Sequence, residues 1–228
     1  MNQKTPPLKR AQQLFLHWSK EVLKRTPIYP PVINAYDRYA HKKWLASGRP
    51  VPPPGIVKAE AIREYATKHG IDTMIETGTF RGDTIYTLRN AFRKIYTIEL
   101  SDVLYRQAVR RFRRNPNVNL LHGDSGKVMA KLLSEVNDRC IFWLDGHYAT
   151  TSEGLFAKGE STTPIFDELR AILAHRVKDH VILIDDARLF ISGEDDYPPL
   201  DSVRKLILEQ RPSYAIEVKD DIIRAYPA

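Results

Sequence analysis

The sequence predicts an α/β protein of the doubly wound kind, with a mostly parallel sheet and helices on both faces. Three observations carry this. Short apolar, β-prone runs alternate with helical patterns through five successive units. The runs are apolar at consecutive positions, as in Cys140-Ile-Phe-Trp-Leu144, which suits strands covered on both faces. Every one of the five strand runs is followed within a few residues by a carboxylate.

In chain order, 8–24 has the spacing of an amphipathic helix, with Ala11, Leu14, Phe15, Trp18 and Val22 on one stripe, closed by Pro27, Pro30 and Pro31. A second helix is predicted over 33–46, carrying Tyr36, Tyr39 and Trp44. Gly48-Arg-Pro-Val-Pro-Pro-Pro-Gly55 then reads as a stiff, extended linker. Residues 1–55 form a basic helical N-terminal extension, and 56–228 form the main domain. Helix 57–69 ends at Gly70, a natural C′ residue. Strand 73–77 leads through a glycine loop into a helix over 83–92. Strand 94–100 carries Glu99 near its end, and Ser101 caps a helix reaching 112. Strand 118–122, helix 127–136 and strand 140–144 follow. A long polar loop spans 146–163, and Pro164 opens a helix to 175 at its N1 position. Strand 180–184 ends in Asp185-Asp186. A helix over 199–210 precedes two strands, 213–219 and 222–226, whose spacing around Asp220-Asp221 suits an antiparallel hairpin.

Composition narrows the class. The chain has 228 residues, of which 43% are hydrophobic, enough for a full core. A single cysteine, Cys140, excludes a disulfide framework and points to a reducing, cytoplasmic setting; its place in an apolar run makes it a buried core residue. No apolar run approaches transmembrane length, and the polar N-terminal residues hold no signal-peptide core. The net charge of +7 is unevenly spread: residues 1–55 hold ten Lys/Arg against two Asp/Glu, and the main domain is close to neutral. Arg106, Arg110, Arg111, Arg113 and Arg114 lie on one helix and raise the possibility of RNA binding. A near-neutral domain with an acidic sheet edge would repel a phosphate backbone there, so nucleic acid is not expected as a partner. The apolar stripe of the first helix needs a partner surface and suggests packing on the domain or a homo-oligomer contact.

In a doubly wound sheet, ligands bind beyond the C-terminal strand ends. The residues there are Glu76, Gly78, Thr79, Gly82 and Thr84 around the first loop, Glu99 after the second strand and Asp124 and Ser125 after the third. Asp145 and His147 follow the fourth, and Asp185 and Asp186 the fifth. The first loop offers flexible glycine backbone and free amides at a helix start. Glu99, 17 residues past Gly82, can accept both hydroxyls of a ribose. A nicotinamide-dependent oxidoreductase would use such a glutamate equally well, but the three-glycine fingerprint is absent and the Asp185-Asp186 pair would have no role. Three carboxylates at neighbouring strand ends repel one another unless protonated or bridged by a cation, and an all-oxygen set suits Mg²⁺ or Ca²⁺. The bland reading gives Asp186 to a helix cap and Asp145 to a turn. His147, with an ordinary pKa near neutrality, is a candidate general base beside Asp145; packing against Trp143 or Tyr148 is the alternative.

Glu76-Thr-Gly-Thr-Phe-Arg-Gly82, Glu99, Gly123-Asp-Ser125 and the closing hairpin resemble the cofactor motifs of the class I S-adenosylmethionine-dependent methyltransferases in order and spacing. The resemblance spans about 57–226. It implies a seven-stranded sheet with the last strand antiparallel, Glu99 on the ribose, Asp124 near the adenine and the glycine loop beside the methionine moiety. The sequence departs from the family in having only Gly78 and Gly82 where Gly-x-Gly-x-Gly is frequent. Leu-Asp145-Gly and Ile-Asp185-Asp186 further resemble the metal site of the macrocin-type sugar O-methyltransferases. That resemblance implies a divalent cation on Asp145, Asp185 and Asp186, a small-molecule acceptor such as a sugar or glycoside, and Asp145 and His147 at the reaction centre.

Overall fold

A computed structural model describes residues 29–145, 163–192 and 197–228. The predicted helix over 8–24, His147 and nearly all of the 146–163 loop lie outside the described residues. The chain divides into two compact units, 1–49 and 50–228, with the division inside the proline-rich linker. In the first unit, helix α1 (Tyr29–Ala46) starts earlier than the periodicity predicts. Pro30 and Pro31 fall in its first turn, where a missing N–H costs nothing. Trp44 is buried with the Arg49 guanidinium 5.3 Å above its ring, whereas Tyr36 and Tyr39 are exposed.

The second unit is a seven-stranded sheet. Its strands are β1 (Thr73–Thr77), β2 (Lys94–Glu99), β3 (Val118–His122), β4 (Cys140–Leu144), β5 (Val181–Ile184), β6 (Tyr214–Lys219) and β7 (Ile222–Pro227), in the spatial order β3-β2-β1-β4-β5-β7-β6. The first five are parallel, and β7 runs antiparallel between β5 and β6. Strand order reverses between β1 and β4, which opens a crevice beyond their C-terminal ends. The hairpin turn at Asp220 and Asp221 has positive φ at both residues, the backbone that matches strand twist.

Alternating residues of each central strand feed two separate cores. Ile75, Phe142, Ile182 and Ile223 face one core, built with α5 (Ser125–Glu135), α6 (Ile165–Ala174), α7 (Ala187–Ser192) and α8 (Leu200–Gln210). Met74, Trp143, Leu183 and Ile222 face the other, built with α2 (Gly55–His69), α3 (Asp83–Leu88) and α4 (Asp102–Phe112). The three-layer arrangement follows from strands apolar at every position. Cys140 lies in the first core, as its sequence context predicts.

Two helices depart from expectation. The helix after the glycine loop stops at Leu88 instead of 92, because the Asn117 amide donates to the carbonyls of Arg89 and Phe92 at 2.7 and 3.0 Å and holds that segment as turns. Helix α7 has no sequence signal of its own. Its first amide donates to the Asp221 carbonyl and the next to the Asp221 carboxylate, both at the hairpin turn.

Candidate functional site

The strand ladders run up to the site and fix its first residues. Beyond β1 the Gly78 N–H donates to Ile98 O, and beyond β3 the Gly123 N–H donates to Glu99 O. Asp145 N–H donates to Thr77 O at 3.2 Å and Asp185 N–H to Leu144 O at 3.0 Å. Because register sets which way each side chain points, these bonds deliver the acidic residues to one edge of the sheet.

Around the first loop, Gly78 and Gly82 both have positive φ. A Cβ on Gly82 would stand 2.6 Å from Phe112 Cε2, so both conformation and space require glycine there. Phe80 also has positive φ, and its N–H donates to Glu99 Oε2 at 2.7 Å. Ser101 N–H donates to Glu99 Oε1 at 2.8 Å. Each Glu99 oxygen thus accepts a backbone N–H, and a carboxylate oxygen has room for a further hydroxyl donor. Burial raises the Glu99 pKa, and these backbone hydrogen bonds oppose the rise. Deeper in, Thr79 and Thr97 hydroxyls lie 2.6 Å apart, and Thr97 donates to Glu76 at 2.6 Å. Burial pushes the Glu76 carboxyl well above the ordinary range; the Thr97 bond opposes this, and Asp145 and Glu99 add to it. Glu76 thus props the loop from beneath through two hydroxyls. Thr84 sits half-buried in the first turn of α3. Asp124 caps α5 by accepting from Gly126 N–H at 3.0 Å, next to buried Ser125.

Arg111 is one of the arginines clustered on the helix after Ser101. Its guanidinium donates to the Arg81 carbonyl and, at 2.8 Å, to Asp83, and lies 5.0 Å over the Tyr86 ring. It braces the glycine loop from the α4 side. Arg106 pairs with Asp102 one turn away. The arginine run is therefore partly committed to intramolecular contacts.

At the other half of the edge, Asp145, Asp185 and Asp186 each offer a carboxylate oxygen within 4.8 Å of the others. Asp145 is half-buried, and Asp185 and Asp186 are buried. Asp186 adopts the left-handed conformation, and its N–H is held by Asp185 Oδ1 at 2.9 Å. The sequence reading left open that Asp186 is a helix cap; the side chain that caps α7 is Asp221. Two cations missed by sequence reasoning complete the cluster. Lys58, from the first turn of α2, bonds Asp185 and lies 3.8 Å from Asp186. Arg188 bonds Asp186 at 2.8 Å and also Asp221. Burial works against the Lys58 charge, yet Asp185, Asp145 and Asp186 together hold its pKa above the ordinary value. Burial raises the Asp185 pKa; Lys58 opposes this and Asp186 reinforces it. The donor set is all oxygen, close-spaced and already drawn onto an ammonium, so it fits a hard divalent cation.

Beside Asp185 a small cleft is lined by Leu144, Ile165, Glu168, Phe190 and Tyr197 among others. Glu168 is buried, with Oε1 lacking a hydrogen-bond partner. Burial lifts its pKa to about 7; the neighbouring Ser125 and Thr77 hydroxyls oppose the rise.

Strand order, the reversed last strand and the glycine loop at β1 define the fold of the class I S-adenosylmethionine-dependent methyltransferases. Among solved structures, an O-methyltransferase from Bacillus cereus in complex with SAH aligns with TM-score 0.55 and 14% identity over 84% of this chain and 90% of that one. The O-methyltransferase TomG from Streptomyces achromogenes, involved in tomaymycin synthesis and in complex with SAM, aligns with TM-score 0.53 and 15% identity over 85% and 89%. The SAH-bound Podospora anserina methyltransferase PaMTH1 aligns over the full length of both chains, with TM-score 0.52 and 13% identity. No protein-family model and no curated protein matches the sequence. Among the described residues no helix is long and apolar enough to cross a membrane.

Proposed function

We propose that the protein is an S-adenosylmethionine-dependent methyltransferase that methylates a hydroxyl oxygen of a small-molecule acceptor with the help of a divalent cation. The observation that carries this reading is one strand-end edge holding two groups: Glu99 against the glycine loop, and three aspartates within 4.8 Å of one another. Glu99 accepts the ribose hydroxyls with its remaining lone pairs. Asp124 and Ser125 lie at the adenine end, and Gly78, Thr79 and Gly82 lie along the methionine moiety. Asp145, Asp185 and Asp186 hold Mg²⁺ or Ca²⁺. When bound, such a cation lowers the pKa of an acceptor hydroxyl and orients it toward the methyl donor. His147, two residues past Asp145, is positioned in the sequence to take the acceptor proton. A sugar or glycoside, with adjacent hydroxyls, is the acceptor class we favour. A nicotinamide reaction gives no role to the Asp145, Asp185 and Asp186 cluster, and this acidic edge would repel the phosphate backbone of an RNA substrate. The lone buried cysteine supports a cytoplasmic setting.

Calorimetry with S-adenosylmethionine and S-adenosylhomocysteine tests the reading, followed by methyl transfer to hydroxylated acceptors in Mg²⁺ and in excess chelator. Low-micromolar binding, about −8 kcal/mol, and chelator-sensitive transfer are expected. No binding of either ligand would sink the proposal, and full transfer in chelator would remove the cation from it.

A further inference from the structure

Lys58 is out of place by the rules of its own helix. It stands in the first turn of α2, where the macrodipole disfavours a cation and no acidic residue of that turn offsets it. Its side chain nevertheless reaches the aspartate cluster, where the Asp185 side chain is 1% exposed. Among the described residues, Lys58 and Arg188 are the side-chain cations bonded to Asp185, Asp186 and Asp221 in this cluster. Arg188 is shared between Asp186 and Asp221, whereas Lys58 is the cation bonded to Asp185, at the centre of the oxygen set that fits a divalent cation. An ammonium on Asp185 takes up one of the lone pairs a metal would use, and the two positive charges repel at such short range. Lys58 is also the more mobile kind of partner: a four-carbon stem with its side chain 20% exposed and a route back to solvent.

Resting on the proposed cation site, we propose that Lys58 is a resident counter-cation that competes with the divalent ion. Its ammonium neutralises Asp185 and Asp186 when the ion is absent and leaves Asp185 when the ion loads. It thereby sets the affinity of the site and keeps the acidic cluster folded without metal. Lys68, by contrast, lies 4.5 Å over the Tyr226 ring.

The test is Mn²⁺ binding by calorimetry to the full-length wild type, Lys58→Met and Lys58→Arg, with melting temperatures in chelator. Lys58→Met is expected to bind Mn²⁺ at least tenfold more tightly than wild type and to melt lower in chelator, with Mn²⁺ restoring the loss. Lys58→Arg, which keeps the charge, should stay near wild-type affinity. On wild-type protein, modification of Lys58 by an amine-reactive reagent, followed by mass spectrometry, should rise when Mn²⁺ is added. This reading needs no variant. Equal or weaker Mn²⁺ binding by Lys58→Met while wild type binds, or unchanged labelling of Lys58, overturns the competition and leaves the cation site standing. Absence of Mn²⁺ binding by all three proteins overturns both.

Discussion

Glu99 and Asp185 end strands of the same sheet, and both are buried carboxylates, 6% and 2% exposed. Their partners differ in kind. Glu99 is held by two backbone N–H groups, from Phe80 and Ser101. Asp185 accepts one backbone N–H, from its neighbour Asp186, and its other oxygen is held by a lysine side chain from a helix far away in sequence. Backbone donors cannot leave without unfolding the loop, so the Glu99 half is a fixed template. A lysine can swing out by rotating single bonds, so the aspartate half is exchangeable. Between them Glu168 follows a third course: it lies beside the Thr77 and Ser125 hydroxyls and, with a pKa of about 7, holds its proton below neutrality. One sheet edge thus shows three treatments of buried acid, and each treatment suits a different use. A template suits an organic cofactor whose hydroxyls recur at every turnover. Exchange suits an ion that must load and leave.

The largest effect that would separate the halves is at Asp185. Asp185→Asn keeps the shape but removes the charge that draws the cation. Mn²⁺ affinity should fall by about 100-fold or more, beyond the range typical of changes outside the ligand set. S-adenosylhomocysteine affinity should stay within about threefold, since the cofactor residues lie on other strands. A parallel loss of both in calorimetry would erase the division proposed above.

Glu168 comes next. Its folded pKa lies above the unfolded carboxylate value, so between about pH 4.5 and 7 the folded protein binds more protons than the unfolded chain. Stability therefore falls as pH rises through that window, by on the order of 3 kcal/mol in all. Glu168→Gln should be more stable than wild type at pH 8 by that order and nearly equal to it at pH 4. Urea melts at the two pH values check this, and parallel pH profiles for the two proteins would refute it.

Glu99→Ala should weaken S-adenosylhomocysteine by about 1.5–3 kcal/mol, tenfold or more, the worth of charge-assisted hydrogen bonds. Mn²⁺ binding should be untouched. The smallest expected effect is at Arg111, a side chain serving the template half. Arg111→Met frees the Arg81 carbonyl and Asp83 and should cost about 1 kcal/mol of cofactor affinity, near fivefold. A loss as large as that of Glu99→Ala would mean that the loop is held from α4 rather than by its own backbone.

The parts of this molecule that local chemistry decides were legible in the sequence. Strands at 73–77, 118–122 and 140–144 match to the residue, because apolar runs bounded by turn residues have one reading. The hairpin at Asp220 and Asp221 and the cap at Ser101 are equally local. The approach of Asp145, Asp185 and Asp186 was legible through topology, since parallel strands deliver their ends to one edge. What stayed hidden rests on long-range partners. Helix α7 is started by Asp221, more than thirty residues later in the chain. The helix after Gly82 is cut short by Asn117. Lys58 reads as an ordinary surface lysine until Asp185, 127 residues away, stands beside it. Arg111 reads as one charge in a run until the fold turns it toward Arg81.

The ladder bonds that carry Asp145 and Asp185 into the sheet have a consequence for solvent labelling. Each aspartate is the first residue beyond its strand, where amide protons ordinarily trade with deuterium in moments. Here each N–H is paired with a carbonyl of the neighbouring strand, Thr77 for Asp145 and Leu144 for Asp185. Their exchange should therefore keep pace with the core of the sheet and fall out of step with the loop that follows, so the two amides serve as built-in clocks for how often the whole edge opens.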